Sequence, residues 1–194
     1  MQRNVLLVKG GSDINYKASS SMTAFLYAVW NNNIELVNYF IGCQDIDLNV
    51  TNKKGFFALH IAASNDYDQL ISIFLTQKIY DPDLFTISDS NRETALIISL
   101  KTGHKNSIRA LLENGATPDL PSSNSVYPLH AAVEGNDQDL LQFLLKYPID
   151  GNCRNSDGYT PLLLSSKEGR VIMFETLLLS ERVDINAKTN DGDN

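Results

Sequence analysis

The stretch "YPLHAAVEGNDQDLLQFLLKYPIDGN", residues 127–152, decides the fold, because its pattern of apolar, small and polar residues recurs along the chain. The matching cores begin at positions 23, 57, 94, 127 and 160, in steps of 34, 37, 33 and 33 residues. They read "TAFLYAVWNN", "FALHIAASND", "TALIISLKTG", "YPLHAAVEGN" and "TPLLLSSKEG". A nearly fixed period of this size predicts a solenoid of stacked units.

Each unit is predicted to contain two helices. After the core of the quoted stretch, leucines recur at 140, 141, 144 and 145, which is the spacing of an amphipathic helix. The other cores are also followed by an apolar segment, and then by a polar, turn-rich link such as "PIDGNCRNSDG". Because two short helices bury little apolar surface between themselves, the units must stabilise one another by stacking.

The cores and links together resemble the ankyrin repeat, whose signature is T-P-L-H-x-A-A followed by G-A-D-V-N. The resemblance is carried by "TPLLLSSKEG", "FALHIAAS", "YPLHAAVEG", "GSDIN" and "VDINAKTNDG", and it covers essentially the whole chain. It implies an all-α fold, an ankyrin-repeat solenoid of helix-turn-helix units joined by β-hairpin-like loops. We therefore predict a single domain over 1–194, with a partial repeat at 1–22 and repeats at 23–56, 57–93, 94–126, 127–159 and 160–194.

Individual residues of the motif have physical reasons. Thr160 is suited to cap the first helix of its unit, and Pro161 fits the first helical position, where a missing N–H costs nothing. Gly103 and Gly169 are placed where a first helix should end, a position that favours a residue tolerating positive φ.

Departures from the motif are also informative. Ile97 and Leu163 stand where the motif has His, and Ser165 and Ser166 replace its Ala pair. The longer step to position 94 predicts an insertion around "TQKIYDPDLF". Neither end reads as a polar capping repeat, so we expect either a longer array or ends that a partner covers.

Composition excludes several classes of protein. Lys plus Arg is 16 and Asp plus Glu is 23, giving a net charge of −7 without a basic cluster, so we expect no nucleic-acid partner. No apolar run approaches the roughly 20 residues that cross a bilayer, so we expect no membrane insertion. Cys43 and Cys153 form no metal-ligand spacing, and we interpret them as free thiols of an intracellular, cytoplasmic protein.

The sequence offers little chemistry. His60 and His130 occupy the fourth motif position, where the resemblance implies a hydrogen-bonding histidine near the helix start, and His104 also falls at a position where the family often has His. No nucleophile elbow, P-loop or zinc-ligand spacing is present. We predict no enzyme, no catalytic residue, no metal, no cofactor and no small-molecule substrate.

Two asparagines resemble a modified position of the family. Asn15 and Asn186 end a "DIN" with a leucine eight residues earlier, as in ankyrin asparagines that asparaginyl hydroxylases modify. Whether either is hydroxylated stays open.

The resemblance also implies where a protein partner binds, on a concave face lined by hairpin tips and first helices. Carried over by position, the predicted partner-binding residues are Met22, Trp30, Phe56, Arg92, Glu93, Lys101 and Tyr159. Trp30, the one tryptophan of the chain, should lie beside Phe56 with Met22 nearby, and aromatic residues dominate binding hot spots. Alternatively, Trp30 folds back over the first helix or the array end, and the polar C-terminal positions are solvated surface.

The predicted function is thus a non-catalytic scaffold for a protein partner of unknown identity. Two alternatives remain, a structural spacer within a longer ankyrin array and the targeting part of a larger enzyme or effector.

Overall fold

The computed structural model of the chain describes residues 13–84, 86, 92–122 and 125–188. Within these ranges ten helices form five consecutive pairs. The helices are α1 (Ala24–Trp30), α2 (Ile34–Ile41), α3 (Ala58–Ala63), α4 (Asp68–Thr76), α5 (Ala95–Thr102), α6 (Lys105–Glu113), α7 (Pro128–Glu134), α8 (Gln138–Leu144), α9 (Pro161–Lys167) and α10 (Val171–Leu178). The predicted all-helical repeat architecture is confirmed.

The pairs stack through their first helices. α1, α3, α5, α7 and α9 contact one another in chain order, and each first helix also contacts the second helix of its own pair. The buried apolar side chains form one continuous core from Met22 to Leu177. No helix in the described ranges has both the length and the apolar character that crossing a bilayer requires.

Threonines begin three of the first helices. The hydroxyl oxygens of Thr23, Thr94 and Thr160 each accept a hydrogen bond at 3.3 Å from the backbone N–H three residues later. Phe57 and Tyr127 occupy the same place in the second and fourth units and provide no such bond. The predicted cap at Thr160 is therefore confirmed, while the motif position tolerates an aromatic residue that forgoes the capping hydrogen bond.

Two glycines follow a first helix with the backbone conformation that the sequence predicted. Gly103 has φ +71° and Gly169 has φ +66°, both in the left-handed region. In each case the chain turns back into the second helix within a few residues. A residue with a side chain would be strained at this positive φ, whereas glycine is not.

A polar ladder connects the links of successive units. At one position in each of four links, a side-chain oxygen accepts a hydrogen bond from a backbone N–H of the next link. The bonds are Asp47 N–H to Asn15 at 2.8 Å, Thr117 N–H to Asp83 at 2.8 Å, Asp150 N–H to Asp119 at 2.9 Å, and Asp184 N–H to Asn152 at 2.6 Å. Between the first and second complete units, the Tyr80 hydroxyl instead donates to the carbonyl of Leu48. Polar as well as apolar contacts therefore fix the register of the stack.

The predicted position of the insertion is wrong. In four hairpins a backbone N–H donates to the carbonyl of the residue four positions later, whereas Thr86 N–H donates to the carbonyl of Glu93, seven positions later. Three extra residues therefore lie between Thr86 and Glu93, in a segment that includes residues outside the described ranges. Residues 76–84 of the segment "TQKIYDPDLF" keep the common register, because Asp83 N–H bonds to the Asp81 carboxylate as the equivalent residues do in other links.

Candidate partner-binding surface

A groove of about 430 Å³ lies where the first two hairpins meet the ends of α1 and α3. We call it the N-terminal groove, and the lining residues used below are Met22, Trp30, Asn52, Lys53, Lys54 and Phe56. Three of the predicted partner-binding residues, Met22, Trp30 and Phe56, are thus brought together as the sequence suggested.

Trp30 and Phe56 provide the accessible apolar surface of this groove. Trp30 is the last residue of α1 and is 51% exposed, and its backbone carbonyl accepts a hydrogen bond at 3.2 Å from the hydroxyl of Tyr67 in the next unit. Phe56 is half-buried, with its ring centroid 5.9 Å from that of His60. The two aromatic residues are therefore anchored to the stack at one side and open at the other.

Met22 differs from the exposed residue that the sequence suggested. Only 9% of it is accessible, and it belongs to the continuous apolar core. The residue immediately before the first core therefore supports the floor of the groove and offers little contact area.

Two lysines stand on the rim. Lys53 and Lys54 occupy the tip of the second hairpin, where Asn52 Oδ1 accepts hydrogen bonds from Lys54 N–H at 2.8 Å and Phe56 N–H at 3.2 Å. Gly55, at φ +71°, completes this tight turn. Both lysines are exposed, and neither forms an ion pair within the part of the chain that the structure describes. The groove is thus locally cationic on a chain of net charge −7.

Sequence reasoning missed both lysines. It carried over only one hairpin position per unit, the residue directly before each core. The signal that could have found them is the turn "NKKGF", in which two adjacent cations at the tip are followed directly by a glycine and then by an aromatic residue.

The other predicted partner-binding residues form separate pairs. Lys101 forms an ion pair with Glu93, next to the exposed Arg92. Lys167 Nζ lies 4.1 Å from the centroid of the Tyr159 ring, a cation–π contact. These side chains already have partners within the chain, so a binding protein would displace existing contacts there.

His60 and His130 each connect the first helix of a unit to the link that follows in the same unit. His60 Nε2–H donates to the carbonyl of Leu84 at 2.9 Å, and His130 Nε2–H donates to the carbonyl of Tyr159 at 2.8 Å. Burial lowers the pKa of both, that of His60 to about 4, so both are neutral at physiological pH. The predicted hydrogen-bonding role is confirmed, with partners in the following link.

His104 and the cysteines also have structural surroundings. His104 Nδ1–H donates to the carbonyl of Ala63 at 3.1 Å. Cys43 and Cys153 are unpaired thiols, and burial raises the pKa of Cys153 to about 12. Within the described ranges, no three His, Cys, Asp or Glu side chains are grouped so that they could hold a metal ion.

The two asparagines in question differ in their contacts. Both polar atoms of the Asn15 side-chain amide form hydrogen bonds. Its Oδ1 accepts from Asp47 N–H at 2.8 Å, and its Nδ2–H donates to the carbonyl of Asp45 at 2.7 Å. Asn186 holds the equivalent position, and its side chain makes no hydrogen bond to any residue that the structure describes.

Fold and surface together define a repeat protein of stacked helix pairs. Family models for ankyrin repeats match three parts of the chain: residues 25–122 (three copies), 111–164 (many copies) and 157–190 (single repeat). The chain belongs to the ankyrin repeat family.

Known relatives extend far beyond the matched region. The chain is 31% identical over 162 residues to neurogenic locus notch homolog protein 1 of Xenopus tropicalis, which covers 76% of this chain and 6% of that protein. It is 24% identical over 159 residues to the human transient receptor potential cation channel subfamily A member 1, covering 78% of this chain and 14% of the channel. Among solved structures, the ankyrin repeat domain of Bcl-3 matches with a TM-score of 0.85 at 22% identity, over 97% of this chain and 82% of that one.

Proposed function

We propose that this chain is a non-catalytic scaffold that binds a protein partner on the face formed by its hairpin tips and first helices, with the N-terminal groove as the primary contact. Ankyrin repeat domains generally mediate protein–protein interactions, so membership of the family supports the class of function. The choice of groove rests on one observation: Trp30 is half-exposed beside Phe56 in a concave site, and no residue that the structure describes covers it.

The C-terminal part of the same face is a weaker candidate. Two pairs of side chains are already in contact there: Lys101 with Glu93, and Lys167 with Tyr159. A partner would have to replace those contacts to bind. Exposed ion pairs contribute little to affinity when they are merely exchanged. We therefore assign Arg92, Glu93, Lys101 and Tyr159 to the periphery of the proposed interface.

The proposal is tested by affinity capture with the intact chain and a Trp30→Ala/Phe56→Ala variant. A matched control is Tyr16→Ala/Tyr39→Ala, which removes two exposed aromatic residues that do not line the groove. We expect the same specific protein to be retained by the wild type and the control and lost by the groove variant, at a temperature where circular dichroism shows that all three are folded, because Phe56→Ala also removes contacts with the core. Retention by the groove variant would refute the assigned surface.

The exposed face of the last unit favours a second function, as a segment of a longer array. Leu179 is 87% exposed, Ile172 and Leu178 are also exposed, and Asn186 occupies a ladder position without a described partner for its side chain. A further unit stacked here would cover these groups. The sequence of the complete transcript tests this, because additional units of about 33 residues after Asn194 support it and an immediate stop codon contradicts it.

A further inference from the structure

We propose that the N-terminal groove selects a peptide segment in which an apolar side chain is flanked by carboxylates. This inference rests on the proposed function and names the chemistry of the partner. It also concerns Lys53 and Lys54, which the sequence reading did not assign to any site.

The apolar part of the recognition comes from the floor and one wall. Met22 forms the nearly buried floor of the groove. Trp30 and Phe56 line the groove and offer aromatic surface to a bound side chain. A concave site of about 430 Å³ accepts a few side chains of a peptide and not a flat domain surface. An aliphatic or aromatic residue inserted there exchanges solvent contact for contact with Trp30.

The charged part comes from the rim. Some described cations form ion pairs: Lys105 lies 2.9 Å from the Asp137 carboxylate, and Arg170 lies 3.4 Å from that of Glu168. Lys53 and Lys54, like Lys78 and Lys146, form no ion pair with a described residue, but Lys53 and Lys54 line the groove, and no Asp or Glu lines it with them. A carboxylate next to the inserted apolar residue would therefore meet two cations whose charge is not already balanced.

The positions of the lysine backbones are fixed before a partner arrives. Asn52 Oδ1 holds the turn through Lys54 N–H and Phe56 N–H, and Gly55 N–H donates to the Asn52 carbonyl at 2.9 Å. A turn that is already ordered loses less conformational freedom on binding. The groove and its charged rim therefore present a preformed combination of apolar and cationic contacts.

A protein segment fits these features better than a nucleic acid does. Affinity for nucleic acid comes from neutralising many phosphates, and the groove supplies two lysines on a chain of net charge −7. A short acidic segment needs only a local positive potential, which this rim provides.

Selection from a random peptide library on the intact chain tests the inference. We expect the enriched peptides to contain Asp or Glu within two residues of Leu, Ile, Met, Phe or Trp. A Lys53→Glu/Lys54→Glu variant should enrich Lys and Arg at those flanking positions instead. The control, Lys78→Glu/Lys146→Glu, changes net charge equally at exposed positions outside the groove and should select the same peptides as the wild type.

A synthetic copy of the most enriched peptide gives the magnitude. Trp30 is the one tryptophan of the chain, so its fluorescence reports directly on occupation of the groove. We expect binding to weaken about tenfold in the Lys53→Glu/Lys54→Glu variant, since two exposed attractive pairs become repulsive, and to change little in the control.

The outcomes separate this inference from the proposed function. Peptides that need Trp30 and Phe56 but carry no acidic excess overturn the inference and leave the groove as a binding site. Peptides that bind equally well to the Trp30→Ala/Phe56→Ala variant, or no enriched peptide at all, contradict the groove itself. Tighter binding of a single-stranded oligothymidylate than of the peptide, measured by Trp30 fluorescence, would assign the groove to nucleic acid and overturn the inference.

Discussion

Mild acid should destabilise this protein through His60. The side chain is fully buried, its Nε2–H donates to the Leu84 carbonyl at 2.9 Å, and its Nδ1 has no hydrogen-bond partner among the residues that the structure describes. The rings of Phe56 and Phe57 lie 5.9 and 5.8 Å from the imidazole, centroid to centroid. Burial in these surroundings lowers the pKa from 6.5 to about 4, because an imidazolium would lose its hydration.

The direction and size of the loss in stability follow from the pKa of His60 in the unfolded chain, 6.5, and in the folded chain, about 4. Above pH 6.5 both folded and unfolded chains carry a neutral His60, and its contribution to stability is complete. As the pH falls from 6.5 towards 4, the unfolded chain binds a proton that the folded chain does not, so stability decreases. The loss is about 2 kcal/mol at about pH 5 and approaches about 3 kcal/mol below pH 4.

Urea unfolding followed by circular dichroism measures this loss. Because carboxylates also titrate in acid, the informative quantity is the free energy of unfolding of the wild type minus that of a His60→Gln variant. We expect this difference to fall by about 2 kcal/mol between about pH 7.5 and pH 5. A difference that does not change with pH would refute the assignment of a neutral, buried imidazole.

Three further substitutions test the contacts between and within units. Asn152→Ala should lower the free energy of unfolding, measured by urea titration, by about 1–3 kcal/mol. The substitution removes the hydrogen bond from Asp184 N–H at 2.6 Å and the one to the Arg182 carbonyl at 3.0 Å. Gly151→Ala should cost a similar amount, about 1–3 kcal/mol by thermal melting, because the added Cβ would lie 2.6 Å from the Arg182 carbonyl oxygen. Thr160→Ala should cost about 1 kcal/mol through loss of the α9 cap, again by urea titration.

Each substitution has a matched comparison. Asn186→Ala changes the equivalent ladder position without breaking a described bond, so an equal cost would contradict the ladder. Gly135→Ala places its Cβ 3.2 Å from the nearest atom and should cost less than Gly151→Ala; the reverse order would disprove the steric argument. Thr160→Ser retains the hydroxyl, and a loss as large as that of Thr160→Ala would rule out the capping explanation.

Much of the fold follows from local sequence. The period, the leucine spacing and the Thr160 cap each depend on residues within a few positions of one another, and helices of this kind are determined by such short-range patterns. Gly103 was recognisable for the same reason, because a helix end that turns back at once requires positive φ.

Features that depend on distant residues were harder to predict. Asn15 and Asp47 are 32 positions apart, and Asn and Asp in links read equally well as ordinary turn formers, so the polar ladder was not foreseen. The step of 37 residues reveals an insertion but not its place, which only the hydrogen bond between Thr86 and Glu93 fixes.

In the candidate site, too, some features could be predicted from the repeat pattern and others could not. The proximity of Trp30 and Phe56 followed from their repeat positions, because the end of one first helix and the hairpin before the next core are neighbours in the stack. The burial of Met22 did not follow, since a residue between a hairpin and a helix can face either way. The contribution of Lys53 depends on how the second hairpin turns over the groove, which the repeat motif does not specify.

The lengthened third hairpin has a consequence for how this protein can change over generations. Its extra residues come between Thr86 and Glu93, after the ladder position at Asp83 and before the cap at Thr94. The entropy of closing a loop grows only slowly with its length, so residues can be gained or lost there at small cost. Larger changes in length should therefore be tolerated best in this segment, leaving the inherited spacing of the helices intact.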